Sequence, residues 1–121
     1  FMVETLEFLH RGGRIGGASR FIGTALNFKP ILQVENGAIE AIERVRTSQK
    51  ARKRLLDIME EKLNGNAQPK IAVIHANAPI IAEEFRQTIE ERFSPAEIFV
   101  TAVSPGVGVH LGPGTVGVSF L

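Results

Sequence analysis

The sequence predicts an α/β (α+β) fold, a mixed β-sheet of about five strands with helices packed on it. Three observations carry that prediction. Asn36-Gly37 sits between the apolar runs Ile31–Glu35 and Ala38–Ile42, and a two-residue turn that needs positive φ at both positions marks a β-hairpin. Ala51, Leu55, Ile58 or Met59, and Leu63 recur at helical spacing after a capping residue, Thr47 or Ser48. Lys70–His75 and Ala96–Val103 are short apolar runs separated by a helical one. There Ile81, Phe85, Ile89 and Phe93 return every four residues behind Pro79, which suits a first helical turn.

The remaining elements follow in order. Thr5 to Arg11 reads as a short helix stopped by Gly12-Gly13. Gly12, Gly13, Gly16 and Gly17 then flank Arg14-Ile15, the composition of a tight link that another group approaches closely. A second short helix is predicted near Ala18 to Leu26, ended before Pro30, and these first two helices stand outside the sheet scheme as a lid or a junction. After Val103 a glycine loop is expected to lead into a last strand over Val116–Leu121.

With 121 residues the chain suffices for one domain and one core. Its first residue is Phe1, and residues 1–121 are read as a single domain of a longer protein. A formal net charge of +1 makes no case for nucleic acid or an anionic membrane as partner. No run approaches the roughly 20 apolar residues of a membrane helix, so integral membrane association is not expected. Cysteine is absent, which excludes disulfides and thiolate chemistry and fits a reducing compartment; the expected location is cytoplasmic.

Gly112-Pro113-Gly114-Thr115-Val116-Gly117 matches the dinucleotide pattern GxGxxG, but that pattern works only where a helix follows, and here an apolar strand pattern follows. No Gly-Lys-Ser/Thr makes it a P-loop either. His110 beside these glycines offers one donor and one acceptor nitrogen, enough to hold a carboxylate or to move a proton. His10, His75 and His110 lack close metal-ligand spacing, so neither a metal nor another cofactor is expected. Arg14 carries a guanidinium fork suited to a carboxylate or phosphate. Lys50, Arg52, Lys53 and Arg54 crowd the start of a helix, where the macrodipole disfavours cations, and this points to an acidic docking partner. No aromatic interleaves them in sequence, which argues against single-strand stacking.

The segments LEFLHRGGRIGG, KPILQVENGAIEAIERVRT and VHLGPGTVGVSF, in that order, resemble the C-terminal half of the DegV family. The family consists of bacterial fatty-acid-binding proteins with two α/β domains and a lipid between them. The resemblance implies a DegV-like C-terminal domain whose missing N-terminal partner supplies Ser and Thr donors to the lipid carboxylate. It places Arg14 and His110 near the head group, beside the glycine loop of Gly112 and Gly114. It implies a bound long-chain fatty acid as ligand. It further implies presentation of that acid to a fatty acid kinase, which makes an acyl-phosphate for phospholipid synthesis. Ile15, Phe21, Ile22, Leu26, Phe28 and Ile31 are the candidate apolar wall for the tail. Leu111 departs from the threonine of many relatives and removes a hydroxyl. The reading is therefore a non-catalytic lipid carrier. The alternative is a small hydrolase or transferase, with His110 as general base and the glycine loop as anion site. That reading requires a nucleophile within hydrogen-bond reach of His110.

Overall fold

The computed structural model describes residues 1–22 and 28–121. Helix α1 spans Glu7–Arg11, and a 3₁₀ segment covers Gly16–Phe21. Then come β1 (Lys29–Glu35), β2 (Ala38–Val45), α2 (Ser48–Leu63), β3 (Lys70–His75), α3 (Pro79–Phe93), β4 (Glu97–Ala102), α4 (Pro105–Leu111) and β5 (Val116–Phe120).

Local chemistry sets most of these bounds. Asn36 (φ 53°) and Gly37 (φ 78°) both take the left-handed conformation the tight hairpin demands. The Thr47 side chain accepts a hydrogen bond from the Lys50 amide and caps α2, and left-handed Asn64 ends it. Pro79 opens α3, where a missing N–H costs nothing. The expected second helix is instead the 3₁₀ segment Gly16–Phe21, and the rest of that prediction, with Leu26, lies outside the described residues. The expected glycine loop also requires correction, because its first half is the helix α4. Ser104 caps α4 by accepting from Val107 N at 3.4 Å, and Pro105 stands at its first turn. Gly106 and Gly108 depress helix propensity enough to hide it from a sequence reading.

The five strands form two ladders. β1 and β2 pair antiparallel; β3 lies between parallel β4 and antiparallel β5. Met2 joins them, forming bridges with both Ile31 and Val116; its N–H donates to Val116 O at 2.9 Å. Beyond that stitch nothing pairs β1 with β5, and the sheet is split.

Side chains from the two faces build two cores. Ile31, Leu55, Met59, Ile71, Val73, Phe85, Ile89 and Val116 pack under α2 and α3. Val3, Leu9, Ala18 and Leu32 pack on the other face, with Leu6, Ile15, Ile39 and Leu111 beside them. Consecutive residues Met2-Val3 and Ile31-Leu32 thus divide between the layers, as alternation along extended chain requires. The result is three layers: α2 and α3, the split sheet, then α1, the 3₁₀ segment and α4.

Glu4 ties the first segment to α2. It accepts from the Ser48 hydroxyl at 2.6 Å and pairs with Lys29 at 2.9 Å. Burial pushes its carboxyl up, but the bonds from Ser48 and Lys29, with the charges of Lys29 and Arg52, outweigh this and hold it below its ordinary value. A carboxyl lowered by folding contributes stability that is full above its unfolded pKa and is lost as pH falls through the lowered value. Denaturant titrations at neutral and acid pH should therefore show a smaller acid loss for Glu4→Gln than for the parent. An identical loss in both would place the acid sensitivity elsewhere.

Candidate functional site

The two glycine motifs lock into each other. The imidazole of His110, in the last turn of α4, lies directly on the backbone of Gly12 at the end of α1; a Cβ on Gly12 would collide with its Nδ1. Reciprocally, Gly112 at the end of α4 receives the Phe8 ring of α1, and a Cβ there would stand 2.5 Å from Phe8 Cδ2. Gly112 has φ 85° and ψ 158°, a conformation essentially confined to glycine. Gly114 is left-handed too, and a Cβ on it would press on the Glu4 side chain. These glycines let two short helices approach until their side chains seat on bare backbone.

That approach brings Arg14 and His110 to one cavity of about 760 Å³, within the range of roughly 300–1,000 Å³ usual for ligand sites. Arg14 is exposed; its guanidinium donates to Gly12 O at 2.7 Å, and its N–H donates to Leu9 O. His110 is half-buried. On the α1/α4 side the cavity also touches Leu9, Val107 and Leu111; on the α2 side it touches Leu55, Ile58, Met59 and Lys62. Leu32, Gln33 and Val34 of β1, Ile39 and Ile42 of β2, and Gly117 to Phe120 of β5 also line it. Its wall therefore comes from both layers and both facing strand edges. It occupies the split in the sheet.

Ile15, Phe21, Ile22, Phe28 and Ile31 do not line this cavity. Ile31 is fully buried beneath α2 and α3, and Ile15 packs beside Leu9 and Leu32. Ile22 is 43% exposed. Gly16 sits so close to Ile39 O that a Cβ would be 2.6 Å from it, which lays the 3₁₀ segment Gly16–Phe21 against β2. Gly112 and Gly114 also stay out of the lining; their bare backbones meet Phe8 and Glu4. The residues the sequence reading missed, Ile42, Leu55, Ile58, Met59, Val118 and Phe120, read there as ordinary core positions. A helical stripe looks the same whether it faces side chains or a cavity.

The basic segment is divided by the fold. Arg54 is committed to Glu43 at 2.7 Å, whose bond holds its guanidinium above its ordinary pKa, and lies 3.7 Å from Glu61. Arg52 is half-buried and acts on Glu4. Lys50 and Lys53 are exposed and make no ion pair among the described residues. Aromatic rings do reach this face through tertiary structure. Arg44 lies over Phe21 at 5.3 Å and Phe28 at 5.4 Å, and Arg20 and Arg46 cover the outer sides of those rings.

No group of three or more His, Asp or Glu among the described residues could hold a metal. Ser104 and Thr115, hydroxyls near α4, are occupied: the first caps the helix, and the second donates to Gly112 O at 2.9 Å. Among the described residues none donates to or accepts from the His110 ring. No helix among them is long and apolar enough to cross a membrane.

Fold and cavity together define an α/β domain with a largely apolar cavity in a split sheet. The family model for the DegV family, described as uncharacterised proteins, matches residues 1–121, and the chain belongs to that family. It is 44% identical to a DegV domain-containing protein of Streptomyces coelicolor over 119 residues, which is 98% of this chain and 42% of that one. Among solved structures, it is similar to a DegV family protein from Thermus thermophilus described by its fatty acid binding. That match has TM-score 0.88 and 35% identity, and covers 98% of this chain and 44% of the other. A fatty-acid-binding DegV family protein from Streptococcus agalactiae matches with TM-score 0.86 and 32% identity, over 98% and 42% of the two chains. The chain thus spans less than half the length of the relatives it matches.

Proposed function

We propose that residues 1–121 form one domain, the tail-binding half of a cytoplasmic long-chain fatty-acid carrier that has no catalysis of its own. The observation that carries this is the largely apolar cavity in the sheet split that Arg14 and His110 both border. Each buried methylene of an acyl chain gains about 0.8 kcal/mol, so the tail supplies affinity and the head group supplies orientation. A carboxylate leaving water needs several donors. Arg14 and His110 provide part of that set, and the remainder would come from the larger part of the protein that the relatives possess. Presentation of the acid to a fatty acid kinase, for acyl-phosphate and phospholipid synthesis, completes the reading. Lys50 and Lys53, exposed and without an ion pair among the described residues, are the docking cations, while Arg54 is held by Glu43.

Mass spectrometry of an organic extract of the full-length protein is the test. Stoichiometric fatty acid is expected from the parent, with occupancy reduced about tenfold or more when Arg14 and His110 are both replaced by alanine, since each charged hydrogen bond contributes roughly 1.5–3 kcal/mol. A folded parent that is empty and ignores added fatty acid would overturn the proposal.

A further inference from the structure

Cations reach the cavity from both faces of the sheet. Arg14 and His110 enter it from the α1/α4 layer, whereas Lys62 enters from the last turn of α2, on the opposite face of the sheet. The same cavity is lined by Ile42, Leu55, Ile58, Met59, Val118 and Phe120. A simple fatty acid needs only one polar end, so the second cation is surplus to the function proposed above.

Lys62 is not occupied by its neighbours. Glu61 lies 3.7 Å from Arg54, and Glu60 is held by Arg92 at 2.8 Å. Among the described residues no carboxylate lies within ion-pair distance of the Lys62 ammonium. Gln33 and Ser119 also reach the cavity, and the Gln33 amide donates to Glu35 at 3.1 Å. Lys62 and Ser119 are exposed, so the α2 end opens to solvent instead of closing on an apolar wall. An ionised group driven into a blind apolar pocket would lose its hydration without compensation. At an open end beside a free ammonium it keeps part of its water and gains a partner.

We propose that Lys62 receives an anionic far end of the ligand, so that the cavity takes long-chain α,ω-dicarboxylic acids as well as simple fatty acids. This rests on the fatty-acid reading above. The acyl chain would thread the split in the sheet, one carboxylate at Arg14 and His110 and the other at Lys62.

The test titrates delipidated full-length protein with hexadecanoic acid and with hexadecanedioic acid, read by native mass spectrometry. In the parent the diacid should bind within about tenfold of the monoacid, and Lys62→Glu should weaken the diacid about tenfold while moving the monoacid less than about twofold. Lys62→Met, which keeps the stem and removes the charge, should fall between them. Exclusion of the diacid from the parent, or equal losses for both acids in Lys62→Glu, would overturn the inference and leave the carrier reading intact. Failure of both acids to bind the parent would overturn both.

Discussion

Met2→Ala should destabilise the domain by about 2–5 kcal/mol, the range for truncating a large buried side chain to alanine. Met2 is 0% exposed and packs with Ile31, Ala51 and Val116 under α2 and α3. Its position bridges both ladders, at Ile31 and at Val116, with Phe1 and Val3 making the backbone hydrogen bonds to β1 and Met2 those to Val116. Alanine keeps those hydrogen bonds and leaves a void beside them, at the one point where the halves of the sheet meet. A native domain has only about 5–15 kcal/mol to lose. Denaturant unfolding followed by circular dichroism would read the change in midpoint. A shift worth less than about 1 kcal/mol would mean the junction relaxes around the void and is not the structural keystone described here. Met2 does not line the cavity, so ligand capacity per folded molecule should survive.

Gly112→Ala should be nearly as damaging and, unlike Met2→Ala, should also cost ligand. The backbone at φ 85° and ψ 158° is strained for any side chain by about 1–3 kcal/mol. The new methyl would also meet the Phe8 ring and push α4 off α1. Because α4 carries His110 and the α1 end leads into Arg14, separating them dismantles the polar end of the cavity. Gly12→Ala is the informative companion. Gly12 has φ −80°, which alanine adopts freely, yet its methyl would occupy the space of the His110 ring. Gly12→Ala is therefore expected to lower fatty-acid retention with little change in thermal midpoint, while Gly112→Ala lowers both. Full retention in a folded Gly12→Ala protein would show that the position of the imidazole is irrelevant to binding.

Much of the fold was legible because it rests on signals within a few residues. Thr47 as cap, Pro79 at the first turn and Asn36-Gly37 at the hairpin act on backbone they nearly touch. The starts of α2 and α3 and the turn between β1 and β2 follow from them. α4 was hidden because Gly106 and Gly108 deny it intrinsic propensity; packing against α1 compensates, and packing is not visible in a linear pattern. The polar end of the candidate site was named from motif resemblance, and Arg14 and His110 do border one cavity. Of the residues expected to form its apolar wall, Ile15, Phe21, Ile22, Phe28 and Ile31 lie outside that cavity, because nearness in sequence to Arg14 is not nearness in space.

The sequence by itself determined the order of most elements, the alternation that divides Met2-Val3 and Ile31-Leu32 between two cores, and the glycines that permit close approach. Tertiary structure alone decided that the sheet would split beyond Met2, that α2 would supply the wall of the opening, and that Phe21 and Phe28 would meet Arg44 and Arg46. The physical reason is range. Capping, turn geometry and periodicity are encoded over a few residues, whereas a cavity is a property of the distance between β1 and β5, which only the packing of every layer sets.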